Sequence, residues 1–491
     1  MSVLIYADHS GGGEARVARP AKEEAPIVTA HEITIGGRTL SYTVTTGLMP
    51  LCDDRGEKEA DIFFMAYTLQ DAGPPAQRPV MFSFNGGPGS SSVWLHLGAL
   101  GPKRVRMLDD GGLPPPPYQL VPNEATWLEH TDLVFIDPVG TGFSRPVNEE
   151  AGKKFWNLQG DIESVAEFIR MYLTRYQRWT SPLFLVGESY GTTRAAGLAG
   201  ELIERGIALN GIVLVSAILN FQTAHFAPGN DLPYMLFLPS YTATAWYHRK
   251  LPDALLQDLP RTLEEVEHWA VTEYNRILIQ GDTLGAQQRA SAVEMLARYT
   301  GLSAAFIDNC HLRVTVPHFC KELLRAEKRT VGRLDSRFRG MDETHVTQEP
   351  EYDPSLAAIR PPYTAMFNAY VRGELGYVTD ATYYILGGGI KSPWKYVEDM
   401  GYADTSAALR SALAKNPYMR LFVASGYFDL ATPYFATEYT LAHMGLDPGL
   451  RGNIRTAEYP AGHMMYIEIE SLNRLKQDVA VFLREAIPGG A

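Results

Sequence analysis

Apolar and polar positions in the first half of the chain follow two alternating patterns. Short and nearly continuous apolar runs, typical of strands buried on both faces of a sheet, lie at 79–87, 132–140, 182–191 and 211–219. Residues 160–178 instead place apolar side chains at helical spacing, and a second helix is predicted directly after residue 191. The alternation of buried strands with amphipathic helices predicts a mostly parallel α/β sheet.

The pattern changes after about residue 220. Residues 221–370 are rich in aromatic, arginine and helix-forming residues and contain few strand-like runs. Strand patterns return at 420–429 and 453–460, and an amphipathic helix is predicted at 471–486. The chain therefore reads as an α/β core that is interrupted by a mainly helical insertion.

We divide the chain on these patterns. A polar and glycine-rich segment at 1–30 is expected to be flexible. The core takes 31–220 and 371–491, and the helical insertion takes 221–370. Two strands are predicted early in the core, one from Ile33 onward and one over residues 60–69.

Composition and charge restrict the classes of partner that the protein is expected to bind. The 491 residues carry 44 Lys and Arg against 56 Asp and Glu, so the net charge is −12. An acidic balance argues against partners such as nucleic acids and anionic membranes, which attract basic surfaces. The sequence leaves the oligomeric state open, with a homodimer as one alternative.

The cysteine count and the first residues bear on location. The three cysteines, Cys52, Cys310 and Cys320, are too few for a disulfide framework. The start of the chain lacks the basic residues and the long apolar run of a signal peptide. We therefore expect a cytoplasmic protein, with a secreted or periplasmic form as the alternative if a signal has been removed.

The motif Gly187-Glu188-Ser189-Tyr190-Gly191 matches G-x-S-x-G. An apolar strand precedes it and a helix pattern follows it, which is the setting of a nucleophile elbow. In such a turn the serine oxygen is pushed clear of the sheet. The alternative is a glycine-rich turn between strand and helix that contains a serine by chance.

A serine hydroxyl needs a base, and the base needs an orienting acid. His463 follows a strand-like run and precedes the last predicted helix, and Asp429 ends an earlier strand. The order Ser189, Asp429, His463 is that of α/β-hydrolases. Taken singly, the histidine could be an ordinary hydrogen-bonded residue and the aspartate a turn residue.

The loop at 85–92, Asn-Gly-Gly-Pro-Gly-Ser-Ser-Ser, follows another apolar strand. Its glycines let backbone N–H groups approach a substrate closely, as oxyanion stabilisation requires. A phosphate-binding loop is the alternative, but the lysine of the Walker pattern is absent.

Five motifs together resemble those of the serine carboxypeptidases. In chain order they are FNGGPGSSS (84–92), DPVGTGFS (137–144), GESYG (187–191), SGYFD (425–429) and AGHM (461–464). The resemblance implies an α/β-hydrolase with a helical cap, formed by the insertion, and an enzyme that needs no cofactor. It implies peptides with a free C-terminus as substrates.

The resemblance also implies roles for single residues. Ser189, Asp429 and His463 would form the catalytic triad, with backbone N–H groups of Gly87 and Tyr190 as the oxyanion hole. The chemistry is acyl transfer through a serine acyl-enzyme.

Asn85 and Glu188 match the residues that hold the substrate's terminal carboxylate in this family. An ionised Glu188 would repel that carboxylate, whereas a protonated Glu188 could donate a hydrogen bond to it. Two neighbouring carboxyl groups that share a proton raise one pKa, so the resemblance predicts better peptidase activity below neutral pH.

Three positions depart from the usual family pattern. Ser83 stands in place of a tryptophan, Ser90 in place of a cysteine, and Ala99 in place of a second glutamate of the carboxylate network. The missing cysteine suits a bacterial-type member that lacks the usual disulfides. The altered network keeps an esterase or an acyltransferase with the same triad open, and a catalytically silent binding protein is the third alternative.

Two further groups of residues in the insertion carry candidate chemistry. Arg333 and Arg337 of the insertion could reach a substrate carboxylate, although most charge runs are simply solvated. The group Cys310, His311, His318 and Cys320 lacks the spacing of common zinc sites, so buried thiols or a local disulfide are favoured over a metal.

Overall fold

The computed structural model describes residues 25–397 and 401–487. Its strands, in chain order, are β1 (Ile27–Ile35), β2 (Arg38–Cys52), β3 (Lys58–Leu69), β4 (Val80–Phe84), β5 (Lys103–Val105), β6 (Leu120–Pro122), β7 (Asp132–Ile136), β8 (Arg145–Pro146), β9 (Leu183–Ser189), β10 (Gly211–Ala217), β11 (Thr330–Val331), β12 (Arg339–Gly340), β13 (Arg420–Gly426) and β14 (Ile454–Tyr459). Nine of them form one path across the central sheet.

The order in that sheet is β1-β2-β3-β7-β4-β9-β10-β13-β14, with β8 paired to β3. Pairing is antiparallel from β1 to β7 and parallel from β7 to β14. Every residue of β4, β7 and β10 is buried, as continuous apolar runs predict for strands covered on both faces. The predicted α/β fold with a mostly parallel central sheet is confirmed.

The helices, in chain order, are α1 (Val93–Leu95), α2 (Glu149–Phe155), α3 (Leu158–Arg175), α4 (Tyr190–Glu204), α5 (Leu232–Tyr247), α6 (Leu259–Trp269), α7 (Asn275–Leu278), α8 (Ala286–Thr300), α9 (Ala304–Asn309), α10 (Val316–Glu322), α11 (Pro354–Gly373), α12 (Ser406–Lys415), α13 (Tyr434–His443) and α14 (Ile469–Ala486). Helices α3, α4 and α12 cover one face of the sheet. Helices α11 and α14 cover the other.

Amphipathic spacing explains how the helices attach to the sheet. In α14, Leu472, Leu475 and Val479 are buried at intervals of three and four residues, so one side of the helix packs on the core. Helix α3 begins after Asn157, whose side chain accepts a hydrogen bond from the Gly160 N–H and caps the helix.

The insertion has a core of its own. Side chains of α5, α6, α8, α10 and the segment between α9 and α10 pack together in a cluster that extends to Val331 and also takes in Leu430 after β13. The mainly helical character predicted for this region is therefore found. Apart from Leu430, the residues of this cluster lie between β10 and β13 in the chain.

Two of the predicted boundaries differ from the structure. Strand β1 begins at Ile27 and pairs with β2, so residues 27–30 are not a flexible segment; residues 1–24 lie outside the described residues. Helix α11 begins inside the predicted insertion at 221–370 and continues three residues past its end, and it packs in the cluster that covers the sheet. Its apolar residues Ile359, Phe367 and Val371 are buried in that cluster, so α11 belongs to the core and not to the insertion.

No helix within the described residues is long and apolar enough to cross a membrane.

A buried ion-pair network ties the start of β7 to its neighbours. The Asp132 carboxylate accepts hydrogen bonds from Arg78 Nε at 3.0 Å, Arg178 Nη1 at 2.6 Å and the Leu69 N–H at 3.0 Å. All three ionic side chains are less than a tenth exposed. Removing the carboxylate would leave two buried guanidinium groups without their shared partner.

We predict that Asp132→Ala lowers the free energy of unfolding by about 3–5 kcal/mol, because the two buried arginines lose their counter-charge. Glu167→Ala is the control, since its partners Arg170 and Arg205 are partly exposed and such pairs contribute about 0–1 kcal/mol. Denaturant unfolding followed by circular dichroism measures both. Equal losses in the two variants would contradict the role given to this network.

Candidate active site

Ser189 lies in a strained turn between β9 and α4. Its backbone has φ 59° and ψ −130°, a conformation that costs about 1–3 kcal/mol and persists only where the surroundings enforce it. A Cβ on Gly187 would lie 2.2 Å from the Gly191 oxygen, so the turn closes only with glycine there. The predicted nucleophile elbow thus has the expected backbone.

His463 and Asp429 are brought together from two loops at the carboxyl ends of β13 and β14. His463 Nδ1 lies 2.6 Å from Asp429 Oδ2, and both side chains are buried. Thr432 and Ala431 fix the carboxylate through their backbone N–H groups, and the Thr432 hydroxyl donates to Oδ2 at 2.8 Å. The histidine ring is therefore held in one orientation.

Burial lowers the pKa of His463, but the carboxylates of Asp429 and Glu188 together outweigh burial and raise the pKa above its usual value. The Asp429 carboxylate stabilises an imidazolium, which is what a general base needs once it has taken a proton. Ser189 and His463 line the same cavity. Among the described residues no hydrogen bond joins these two side chains. Ser189 and His463 therefore share a cavity without being hydrogen-bonded to each other.

The glycine loop lies against the amino-terminal end of α4. A Cβ on Gly86 would sit 2.4 Å from the Tyr190 nitrogen, so the two backbones are in direct contact. Tyr190 is the first residue of α4, where backbone N–H groups have no acceptor within the helix. Gly87 lines the cavity beside Ser189. The loop and the helix end are thus side by side, and the oxyanion role of Gly87 and Tyr190 stays a prediction.

The first residue of the DPVGTGFS motif, Asp137, holds the residues that follow the glycines of that loop. Asp137, at the end of β7, accepts hydrogen bonds from the Ser92 N–H at 2.8 Å and from the Ser92 hydroxyl at 2.9 Å. It is fully buried. The motif therefore anchors the residues that follow the glycines.

Asn85 and Glu188 face the same cavity. Asn85 Oδ1 accepts the Leu95 N–H at 3.1 Å, while its buried Nδ2 has no partner within hydrogen-bond geometry. Burial raises the pKa of Glu188 to about 7, against the opposing effects of His463, of the Tyr466 hydroxyl and of the nearby Asn85 amide. An unpartnered buried donor beside a buried acid is an arrangement that a ligand carboxylate would complete.

The cavity is small, with a volume of about 180 Å³. Drug-sized ligand sites usually occupy about 300–1,000 Å³, so this one has room for an end group rather than for a long segment of chain. Its apolar wall comes from the loops, from α1 and from α11: Trp94, Leu334, Leu356, Ile359, Leu386 and Met464.

The two arginines singled out in the sequence take different positions. Arg337 is nine-tenths buried, pairs with Asp335 at 2.7 Å and donates to the Pro460 oxygen, so its guanidinium is already used. Arg333 is exposed and lines the cavity together with Asp353. Of the pair, only Arg333 is placed to meet a substrate.

Trp94 and Tyr466 were missed by sequence reasoning. Trp94 lies in the cavity wall, two residues beyond the loop motif, and its Nε1 donates to the Ser90 hydroxyl. Tyr466 reaches Glu188 from a segment three residues after His463. Neither residue belongs to a spacing pattern that points to chemistry, so the sequence carries no signal for them.

The cysteine and histidine group of the insertion shows no metal geometry. Within the described parts of the chain, no cluster of three or more histidine, cysteine or acidic side chains could hold a metal ion. Cys310 and Cys320 are free thiols, the second of them buried. The local disulfide considered for these two is therefore not formed.

We predict that Asp429→Asn slows the labelling of Ser189 by a fluorophosphonate about 10³–10⁴-fold, because the imidazole loses the carboxylate that fixes its tautomer. Glu470→Gln, which neutralises an exposed acid at the start of α14, should label at the normal rate. Ser189→Ala should not label at all. Undiminished labelling of Asp429→Asn would contradict the assignment of the orienting acid.

Comparisons with known proteins bear on the family. A family model described as serine carboxypeptidase matches residues 38–464. Pheromone-processing carboxypeptidase KEX1 of Saccharomyces cerevisiae is 35% identical over 145 residues, which are 28% of this chain and 19% of that protein. Serine carboxypeptidase-like 5 of Arabidopsis thaliana is 29% identical over 155 residues, 31% of this chain and 33% of that protein. These alignments span about a fifth to a third of the curated relatives.

Among solved structures, a crystal structure of KEX1(Δ)P, a prohormone-processing carboxypeptidase from Saccharomyces cerevisiae, has a TM-score of 0.52 at 16% identity. The alignment covers 90% of this chain and 91% of that chain. This similarity confirms the fold. The family model extends over both parts of the core and the whole insertion. On that match, the chain belongs to the serine carboxypeptidase family.

Proposed function

We propose that the protein is a serine-type carboxypeptidase that releases C-terminal residues from peptides. The observation that carries the proposal is the pairing, in one small cavity, of Ser189 and His463 with a buried acid and an unpartnered amide, Glu188 and Asn85. A triad alone would suit many hydrolases. Glu188 and Asn85 give the cavity two groups that can bind the carboxylate at the end of a peptide.

The proposed reaction runs through an acyl-enzyme. Ser189 Oγ attacks the last peptide carbonyl while His463 takes its proton, and the negative oxygen is held by the N–H groups of Gly87 and Tyr190. The imidazolium, oriented by Asp429, then protonates the leaving amino acid. A water molecule then attacks the acyl carbon while His463 removes its proton. The bond to Ser189 Oγ breaks, the imidazolium returns the proton to that oxygen, and the product leaves with a new C-terminal carboxylate.

Binding of the terminal carboxylate depends on the proton of Glu188. When protonated, Glu188 can donate to the substrate carboxylate, and Asn85 Nδ2 supplies a second donor. When ionised, it places a like charge in a buried site, which is strongly unfavourable. Since burial raises the pKa of Glu188 to about 7, the proposed activity is favoured at acidic pH.

The two titrations that matter are coupled. The base His463 must be neutral and Glu188 must be protonated, and each favours the charged form of the other. Neutral His463 with protonated Glu188 holds the same number of protons as the ion pair of an imidazolium and a carboxylate. The two residues therefore titrate as a unit. Comparing a substrate that carries the terminal carboxylate with one that lacks it isolates the contribution of Glu188.

Arg333 is proposed to assist at the mouth of the cavity. It is exposed there and shares the wall with Ser189 and Glu188, so its charge can attract a carboxylate before the buried groups bind it. Asp353 in the same wall opposes that attraction. Arg337, bound to Asp335, has no such role.

The remaining expectations are proposals as well. We propose a bacterial-type family member that works in the cytoplasm without the disulfides usual in the family, and the free thiols of Cys310 and Cys320 support it. Its partners are proposed to be peptides with a free C-terminus, rather than nucleic acids or membranes, because the net charge is −12. Sedimentation of the full chain would test the homodimer alternative.

We predict that one N-blocked dipeptide is cleaved faster as the free acid than as the C-terminal amide at about pH 5, and that this ratio of kcat/KM falls about tenfold per pH unit above about pH 7, as Glu188 ionises. Stopped assays of both substrates from about pH 5 to about pH 8.5 measure the ratio. The ethyl ester serves as a third substrate, and Ser189→Ala controls for contaminating peptidases.

Cleavage of the ester without the free acid would overturn the carboxypeptidase proposal in favour of an esterase or acyltransferase. That alternative is motivated by Ser83, whose buried hydroxyl has no partner, and by Ala99, both at positions where the usual network is altered. Absence of all three activities in folded protein would favour the binding-protein alternative.

We further predict that Glu188→Gln keeps the ratio of free-acid to amide cleavage constant across the same pH range. Glutamine donates a hydrogen bond at every pH and carries no charge, so the site no longer switches from donor to repelling anion. The same assays measure it, with Glu470→Gln as a matched acid-to-amide control. A pH-dependent ratio in Glu188→Gln would assign the titration to another group.

A further inference from the structure

A tyrosine holds the buried acid of the cavity. Tyr466 donates its hydroxyl hydrogen to Glu188 Oε2 at 2.5 Å, and both side chains are at most 3% exposed. Tyr466 sits in the short 3-10 turn Met465–Ile467, three residues after His463. The turn that follows the catalytic base therefore also reaches the residue that precedes the nucleophile.

The Tyr466 ring packs against Gly98, in a helical turn where a larger side chain would not fit. A Cβ on Gly98 would lie 2.4 Å from Tyr466 Cε2 and 2.7 Å from the Tyr363 hydroxyl. Ala99 follows Gly98 in the same turn, at the position where the family resemblance expects a second glutamate. The Tyr466 ring thus packs against the turn that carries Ala99, and its hydroxyl bonds to Glu188.

A phenol and a carboxyl group act differently as partners of Glu188. Burial, together with the Glu188 charge, keeps the pKa of Tyr466 well above 10, so the hydroxyl stays protonated at every pH at which the enzyme would work. It can donate to Glu188 but cannot take a share of its proton. Such a donor favours the ionised carboxyl group and fixes its position.

We propose that Tyr466 is the positioning residue for Glu188: its hydroxyl holds Oε2, so that Oε1 is left to meet a substrate carboxylate beside Asn85. This deepens, and for the substrate part rests on, the carboxypeptidase proposal. Tyr466 does not touch the reacting atoms. It sets where Glu188 points and the pH at which Glu188 gives up its proton.

The other charged and titratable groups around Glu188 come from three directions. His463 and Asp429 face it from the loops after β14 and β13, and Tyr363 faces it from α11. Arg333 lies farther out in the cavity wall. Within the described residues, Tyr466 is the only hydroxyl that donates to Glu188, so its removal changes a contact that none of these groups supplies.

Loss of this hydroxyl should have two effects. Without the donor, the ionised form of Glu188 loses a hydrogen bond, so the pKa of Glu188 rises by about one unit. The free-acid substrate should then be cleaved to a correspondingly higher pH than in the wild type. Glu188 also becomes less well oriented, which should raise KM for the free acid about threefold to tenfold at about pH 5 with little change in kcat.

The test compares wild type, Tyr466→Phe and Tyr363→Phe in two measurements. Infrared difference spectra recorded during a pH titration follow the carbonyl band of protonated Glu188, identified by its absence in Glu188→Gln. Kinetics with the free-acid and amide dipeptides give the midpoint at which the ratio of kcat/KM falls. Tyr363→Phe removes a neighbouring buried hydroxyl that does not donate to Glu188, so its midpoints should match the wild type.

An upward shift of the infrared midpoint in Tyr466→Phe alone, with the kinetic midpoint following it, is the expected result. An unmoved infrared midpoint would overturn the inference whatever the activity, as would a KM rise shared equally by the amide substrate. If the infrared midpoint moves but the wild type cleaves only esters, the positioning of Glu188 stands and the carboxypeptidase proposal falls.

Discussion

The turn at Ser189 is the constraint on which the rest of the site depends. A positive φ at a serine is tolerated because β9, α4 and the glycine loop pack closely around the turn. The sharp reversal sends three consecutive residues in different directions. Glu188 is buried, Ser189 faces the cavity, and the Tyr190 N–H stands at the amino-terminal end of α4, beside the glycine loop. The strained turn thus places an acid, a nucleophile and a backbone donor at one site.

Electrostatic coupling follows from that geometry. Because Glu188 and Ser189 are adjacent, the acid is close enough to His463 for each to influence the other's ionisation. Burial removes the water that would otherwise screen the two charges. A site of this kind can tie nucleophile activation and recognition of a charged substrate to the same protons, and the Tyr466 hydroxyl adds a donor that does not itself titrate in the working range.

The surrounding elements close the cavity to a small volume. Helix α11 contributes Leu356 and Ile359, and the segment between β11 and β12 contributes Arg333 and Leu334. The cavity is therefore built partly from the core and partly from the chain that returns from the helical insertion. A cavity of about 180 Å³ matches the size of an end group better than that of a long peptide segment.

Local pattern was enough to predict the elements and the motif residues. Continuous apolar runs identify β4, β7 and β10, and glycine spacing identifies the elbow, because burial on two faces and a crowded turn each restrict residue type directly. The contact of Tyr466 with Glu188 and the packing of α11 on the sheet were not predictable. These contacts join residues far apart in the chain, as Tyr466 and Glu188 are. Only the folded chain brings such residues together, because no local rule of composition or period depends on a partner hundreds of residues away.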